Sequence, residues 1–283
     1  MPYAIKRPFA RYQSTMRRAK ILLVDDNRVN RKLLAAVLEA DGHRVDEAGS
    51  GREAVEGVRL FPYDLVLMDI QMADMDGMAA AAAIRALGGR RGETPIVAIS
   101  GDVGADVEDR CRRAGVNEHL AKPVSPVALQ QVVERWINPA APSVSSDRLA
   151  PDGATPFRLG GLGAHLAGAA LAGVVDEFTA GSSARMDDIE RQTAAGEMLR
   201  VRALAHDLSG TAANLGLVEL SRVAKLLEAT CIGSDAGGVG LLLPKVRAAL
   251  EHSLQLLAAE RQRAAKTGDP AVGPVTDAGS SPR

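Results

Sequence analysis

Aromatic side chains are scarce in this 283-residue chain: one Trp, three Tyr and four Phe, 3% in all. Any core must therefore be aliphatic and alanine-rich, and an apolar content of 46% is enough to build one. Cysteine is almost missing. Cys111 and Cys231 stand far apart, with no Cys-x-x-Cys pair and no neighbouring His cluster, which argues against structural zinc and implies no disulfide framework. Both read as small buried or half-buried hydrophobes. Net charge is lacking as well: 34 Lys and Arg against 35 Asp and Glu leave −1, so no nucleic-acid partner is expected. No run approaches the ~20 consecutive apolar residues that a membrane span needs. Residues 1–18 hold Lys6, Arg7, Arg11, Arg17 and Arg18 without an acidic residue. That stretch lacks the apolar segment of a secretory signal, so it reads as a basic N-terminal extension, and the expected address is cytoplasmic.

Apolar patterning organises the remainder. Residues 21–24 form a short apolar run that ends in Asp25-Asp26 and reads as a buried strand. Val29, Leu33, Leu34, Val37 and Leu38 then share one helical face, with Gly42 as a stop. Ser50 with Glu53 is a capping-box signature for the next helix. Further strands are predicted at 44–48, 64–68, 95–99 and 118–121, with helices at about 78–87, 105–114 and 126–137. This alternation predicts an α/β domain over 19–138: a doubly wound, five-stranded parallel sheet of the flavodoxin-like kind. Residues 139–156 turn to Pro, Ala, Ser, Asp and Gly and read as a flexible linker. Roughly 18 residues of such chain span about 23 Å, which lets the flanking domains meet within one molecule. Beyond it, helices at 164–194, 198–214, 218–231 and 239–265, joined by Gly-containing turns, predict an all-α antiparallel four-helix bundle over 157–265. Residues 266–283, rich in Gly, Pro and Ser, read as a disordered tail.

In an open parallel sheet the ligand site lies beyond the carboxyl ends of the strands. Here those ends carry Asp25 and Asp26, Asp69, Ser100 and Lys122. Three carboxylates in one crevice repel unless a cation sits among them, and all-oxygen, partly hydrated ligation suits Mg²⁺. Asp69 could then act as a nucleophile forming an aspartyl phosphate. Mg²⁺ and Lys122 would neutralise the transferred phosphoryl oxygens while Ser100 donates a hydrogen bond to one of them.

The motifs Ile-Leu-Leu-Val-Asp-Asp (21–26), Asp-Leu-Val-Leu-Met-Asp-Ile-Gln-Met (64–72) with Asp76-Gly77, Ser100 and Lys122-Pro123 resemble the receiver domain of two-component response regulators. The resemblance implies that Asp69 is the phosphoacceptor, that Asp26 and Asp69 bind Mg²⁺ directly, that Asp25 acts largely through water, and that the Gln71 carbonyl completes the metal site. It also implies that Ser100 and Lys122 read the phosphate. Two positions depart from the pattern: Ala73 replaces a common proline, and His119 stands where an aromatic switch residue often sits.

In the helical region Val201, Leu204, Leu208, Thr211 and Leu215 define a core stripe, and His206 points roughly opposite it, toward solvent. Gly210, one turn further along that face, leaves room beside the imidazole. The run from Ala205 to Gly216, with Leu220 and Leu227-Glu228 beyond, resembles the histidine-phosphotransfer (HPt) motif, which implies that His206 is the phosphohistidine. Ser209 stands where that family usually has lysine, so transfer is expected to be weaker.

No P-loop and no kinase-type glycine-rich motif is present, so the chain reads as a phosphoryl-transfer signalling protein and not as an ATP-using enzyme. Asp69 and His206 are expected to exchange phosphate with an upstream sensor histidine kinase and with further receiver or HPt proteins, much as in the C-terminal part of a hybrid sensor kinase. The alternative is a binding protein whose receiver gates docking while His206 never carries phosphate. A D-x-D phosphatase is disfavoured because residue 71 is Gln.

Overall fold

A computed structural model describes residues 18–72, 74–101, 105–138, 166, 168–232 and 236–266. Most of the basic extension, Ala73, the linker, His165 and nearly all of the tail lie outside the described residues.

The first domain contains β1 (Lys20–Val24), α1 (Arg28–Ala40), β2 (Arg44–Ala48), α2 (Gly51–Leu60), β3 (Leu65–Asp69), α3 (Gly77–Ala86), α4 (Gly89–Gly92), β4 (Ile96–Ser100), α5 (Ala105–Arg113), β5 (Glu118–Ala121) and α6 (Pro126–Ile137). All strand pairs are parallel, in the order β2-β1-β3-β4-β5. The five-stranded parallel sheet expected from the alternation is therefore present. β3 and β4 are buried along their whole length, as their unbroken apolar runs require, whereas β2 at the sheet edge is half polar and half exposed. Alternate residues feed opposite faces. Leu22, Val24, Val66, Met68, Ile96 and Ala98 pack with Ala54, Val58, Ala80, Ala81 and Ile84 of α2 and α3. Ile21, Leu23, Leu65, Leu67, Val97 and Ile99 pack on the other side with Leu33, Leu34, Leu129 and Val133 of α1 and α6. Ser50 caps α2 through the Glu53 N–H at 3.2 Å, while Glu53 reaches back one residue past the cap to accept from the Gly49 N–H at 2.7 Å, a variant of the capping box that the sequence signals. The short α4 between two glycines was not foreseen, because four residues carry no periodicity. Gly77 is obligatory: a Cβ there would sit 2.1 Å from the carbonyl oxygen of Asp69, so only glycine lets α3 begin against the end of β3.

The second domain contains α7 (Gly168–Ala194), α8 (Met198–Leu215), α9 (Val218–Ile232) and α10 (Ala236–Lys266). Each helix packs on the next and α10 closes on α7. Gly216, with φ 76°, ends α8 in the left-handed conformation that glycine accepts. Phe178 is the largest fully buried side chain, an apt use of one of only four phenylalanines. Among the described residues, no helix is long and apolar enough to cross a membrane.

The domains are not separate beads. α1 packs on α7 and α8, and the apolar cluster on that side of the sheet continues into Leu171, Val174, Val175, Phe178, Val201 and Leu208. At the rim, Glu177 takes Lys32 at 2.9 Å and Arg28 at 3.3 Å.

Candidate functional site

The strand order sets the tips of β1, β3, β4 and β5 side by side, and the expected residues converge there. One carboxylate oxygen from each of Asp25, Asp26 and Asp69 lies within 4.8 Å of the others. The Lys122 ammonium donates to Asp69 Oδ2 at 2.5 Å and lies 3.7 Å from Asp25 Oδ2. Backbone groups fix the carboxylates: the Asn27 N–H donates to Asp25 Oδ1 at 2.8 Å and the Gln71 N–H to Asp69 Oδ1 at 3.1 Å. Ser100 ends β4, buried, and lines a cavity of about 240 Å³ with Ile70, Gln71, Met72 and Arg110 among others.

Burial pushes the Asp25 carboxyl up to about 8; Lys122 opposes this, and the neighbouring Asp69 reinforces it. Burial also works to lower the Lys122 ammonium, but Asp25 and Asp69 together outweigh it and hold its pKa above the ordinary lysine value. One lysine is thus too little positive charge for three carboxylates, and the arrangement fits a divalent cation held by oxygen donors.

His206 lies at the mouth of this crevice. Its helix points it away from the bundle core, as the stripe on α8 requires, but not into open water. Only 23% of the side chain is exposed, because the first domain covers it. A Cβ placed on Gly101, the residue after Ser100, would lie 3.0 Å from His206 Cε1 and 3.4 Å from Nε2. On its other side, His206 Nδ1 is 3.0 Å from Glu228 Oε1 of α9. A carboxylate only accepts, so Nδ1 carries the hydrogen, and in the neutral ring this leaves the lone pair on Nε2. The next residue, Asp207, is pushed up to about 6 by burial, with Asp26 of the other domain adding repulsion. Charges from the two domains therefore act on one another across the junction.

Family models place a response regulator receiver domain on residues 21–134 and an Hpt domain on residues 173–260. The chain is a receiver joined to an Hpt domain. It is similar to the signal transduction histidine-protein kinase BarA of Shigella flexneri, 39% identical over 116 residues, which covers 41% of this chain and 12% of that protein. It is also similar to the sensory/regulatory protein RpfC of Xanthomonas campestris pv. campestris, 29% identical over 237 residues, 77% of this chain and 31% of that protein. The chain thus spans between 12% and 31% of the length of these two relatives. Among solved structures, the magnesium-bound receiver domain of sensor histidine kinase PA1611 from Pseudomonas aeruginosa PAO1 is 36% identical, covering 43% of this chain and 98% of that one, with a TM-score of 0.40.

Within the Hpt domain, two details add to the sequence reading. Ser209 is buried, and its hydroxyl donates to the Ser221 carbonyl on α9 at 3.2 Å. Gly210 is open, and an added Cβ there would meet nothing within 4 Å. Gly210→Ala is accordingly expected to stabilise the domain by about 1 kcal/mol, read as a higher urea midpoint; a lower midpoint would mean that the glycine is required structurally. In the receiver, His119 is half-buried on β5, and its Nε2 is buried without a hydrogen-bond partner. His43 is buried, with Nδ1 accepting from the Ala19 N–H at 3.4 Å.

Proposed function

We propose that this chain is a phosphorelay intermediate in which Asp69 takes a phosphoryl group from a phosphohistidine and His206 carries or passes on a phosphoryl group. What carries the reading is the packing of His206 against Gly101, beside the crevice where Lys122 holds Asp69. His206 packs on the residue after Ser100 within one molecule, so exchange between Asp69 and His206 themselves joins exchange with an upstream sensor histidine kinase and with other receiver or Hpt proteins.

For transfer from histidine, an Asp69 carboxylate oxygen attacks phosphorus, the O–P bond forms and the bond from phosphorus to Nε2 breaks. Nε2 leaves with the electron pair. Because Glu228 keeps the hydrogen on Nδ1, the leaving group is neutral imidazole and no further proton need move. Lys122 and the Ser100 hydroxyl stabilise charge on the phosphoryl oxygens. Asp26 and Asp69 would hold Mg²⁺ directly, with Asp25 acting largely through water and the Gln71 carbonyl completing the set. The ion would supply charge neutralisation at the phosphoryl oxygens.

The direct test is to incubate the protein with acetyl phosphate and Mg²⁺ and to map phosphate by mass spectrometry. Base-labile phosphate on Asp69 and acid-labile phosphate on His206 are expected; a folded protein labelled at neither would sink the reading. The alternative, a docking protein whose Hpt domain stays unphosphorylated, draws support from Ser209, which brings no positive charge to the imidazole.

The raised Asp25 pKa gives a second test. Without the ion, Asp25 is largely protonated below about 8, so Mg²⁺ binding must expel a proton. Affinity for Mg²⁺ is expected to rise as pH climbs from 6 to 8, by up to about tenfold per unit. Calorimetric titrations at pH 6.5 in two buffers of different ionisation enthalpy should report proton release; identical heats and pH-independent affinity would contradict it.

A further inference from the structure

The contact between the two domains encloses a small polar network. Asn27, Asn30, Thr211 and Asn214 are at most 5% exposed. Asn27 Nδ2 donates to Thr211 Oγ1 at 2.9 Å. Asn214 Oδ1 accepts from the Val124 N–H at 3.0 Å, and Asn214 Nδ2 reaches Asn30 Oδ1 at 3.4 Å. Every one of these bonds crosses from receiver to Hpt domain.

Two of the side chains are already oriented within their own domains. Asn27 Oδ1 caps α1, accepting from Val29 and Asn30 N–H, and Thr211 Oγ1 donates to the Asp207 carbonyl one turn back. The groups therefore come to the contact preorganised, at little entropic cost. Around them the contact is apolar, and apolar packing is non-directional: many helical partners of similar shape would satisfy it. A buried donor or acceptor is less tolerant, because a partner without the complementary group leaves it desolvated and unpaired. The Lys32–Glu177 pair at the rim adds a charge match of the weak, exposed kind.

We propose that Asn27, Asn30, Thr211 and Asn214 are specificity-determining contacts that pair this receiver with the Hpt domain of its own chain and hold His206 shut against the Asp69 crevice. The partner is the same polypeptide, since covalent connection places the two faces at an effective concentration in roughly the millimolar range. A foreign Hpt or receiver domain must then match the network and also displace a tethered competitor. Asn214 has a further effect, because Val124 follows closely on Lys122: the Hpt domain grips the loop that carries the phosphate-reading ammonium. The docking itself does not depend on the relay reading; only its consequence for His206 does.

The test uses the full chain with donor and acceptor dyes on Arg52→Cys and Arg222→Cys. Both positions are exposed, and the native Cys111 and Cys231 are buried. Single-molecule energy transfer should show one dominant closed population. Thr211→Val and Asn214→Leu should each lower the closed-to-open ratio by about tenfold, while Thr211→Ser, which keeps the hydroxyl, stays closed. In an Asn27→Leu/Thr211→Val cycle the two losses should be less than additive. Unchanged circular dichroism separates opening from unfolding. Closed populations unaffected by Thr211→Val and Asn214→Leu, or strict additivity in the cycle, would overturn the proposal. So would transfer that depends on protein concentration, since that would signal exchange between two copies. Energy transfer reads docking without phosphate, so a chain that opens as expected yet never labels His206 would refute the relay and leave the network standing.

Discussion

Asp69→Asn is expected to reduce phosphate uptake from acetyl phosphate to background, a loss on the order of a thousandfold or more. The amide keeps the shape of the carboxylate but has no nucleophilic oxygen to offer. It also weakens the 2.5 Å contact with Lys122, so the charge that would meet the incoming phosphoryl group loses its anchor. Removing the Asp69 charge relieves Asp25, whose carboxyl Asp69 helps to push upward, while the weakened pair with Lys122 works against stability, so the melt separates loss of the nucleophile from loss of fold. Radiolabel incorporation in the presence of Mg²⁺, with a thermal melt beside it, makes the measurement. Labelling that persists without Asp69 would remove the acceptor from its assigned place.

His206→Gln should give the complementary result: uptake at Asp69 continues, while acid-labile phosphate vanishes and relay through the Hpt domain falls to background. Glu228→Gln is the finer probe. An amide can accept from Nδ1–H through its oxygen but carries no charge to favour the protonated nitrogen, so transfer should slow by about ten- to a hundredfold while Asp69 labelling is retained. Rates equal to the parent's in Glu228→Gln would mean that the 3.0 Å contact is structural only. Continued acid-labile labelling in His206→Gln would move the phosphohistidine elsewhere.

The receiver was legible because its signals are local. Buried parallel strands read as unbroken apolar runs, and the polar residue at each strand tip has a fixed place in the topology. Asp25, Asp26, Asp69, Ser100 and Lys122 therefore fall together from the order of elements alone. The core face of α1, the Ser50 cap of α2 and the span of α6 followed from periodicity and caps.

What the sequence hid lies between the domains. The helical stripe placed His206 correctly opposite the bundle core, but a wheel cannot tell a solvent-facing position from one covered by another domain. Thr211 looked like a weak member of the core stripe, and Asn214 like the end of a helix. Both are buried because the receiver supplies their hydrogen-bond partners. Asn27 signals itself only as a helix cap, and its second hydrogen bond is invisible without α8. Within the Hpt domain, the residue type of Ser209 gave no hint that its hydroxyl would turn to the Ser221 carbonyl.

One feature of the packing bears on how the whole chain melts. The apolar cluster that fills one side of the sheet does not stop at the receiver; it runs on through α1 to Leu171, Val175, Phe178 and Leu208, while the opposite face is sealed within the receiver. Two modules that share a core lend each other stability, and heat should undo them in a single sharp calorimetric transition. Prising them apart at Asn214 should split that transition in two, with the alanine-rich bundle, deprived of its borrowed lining, giving way first.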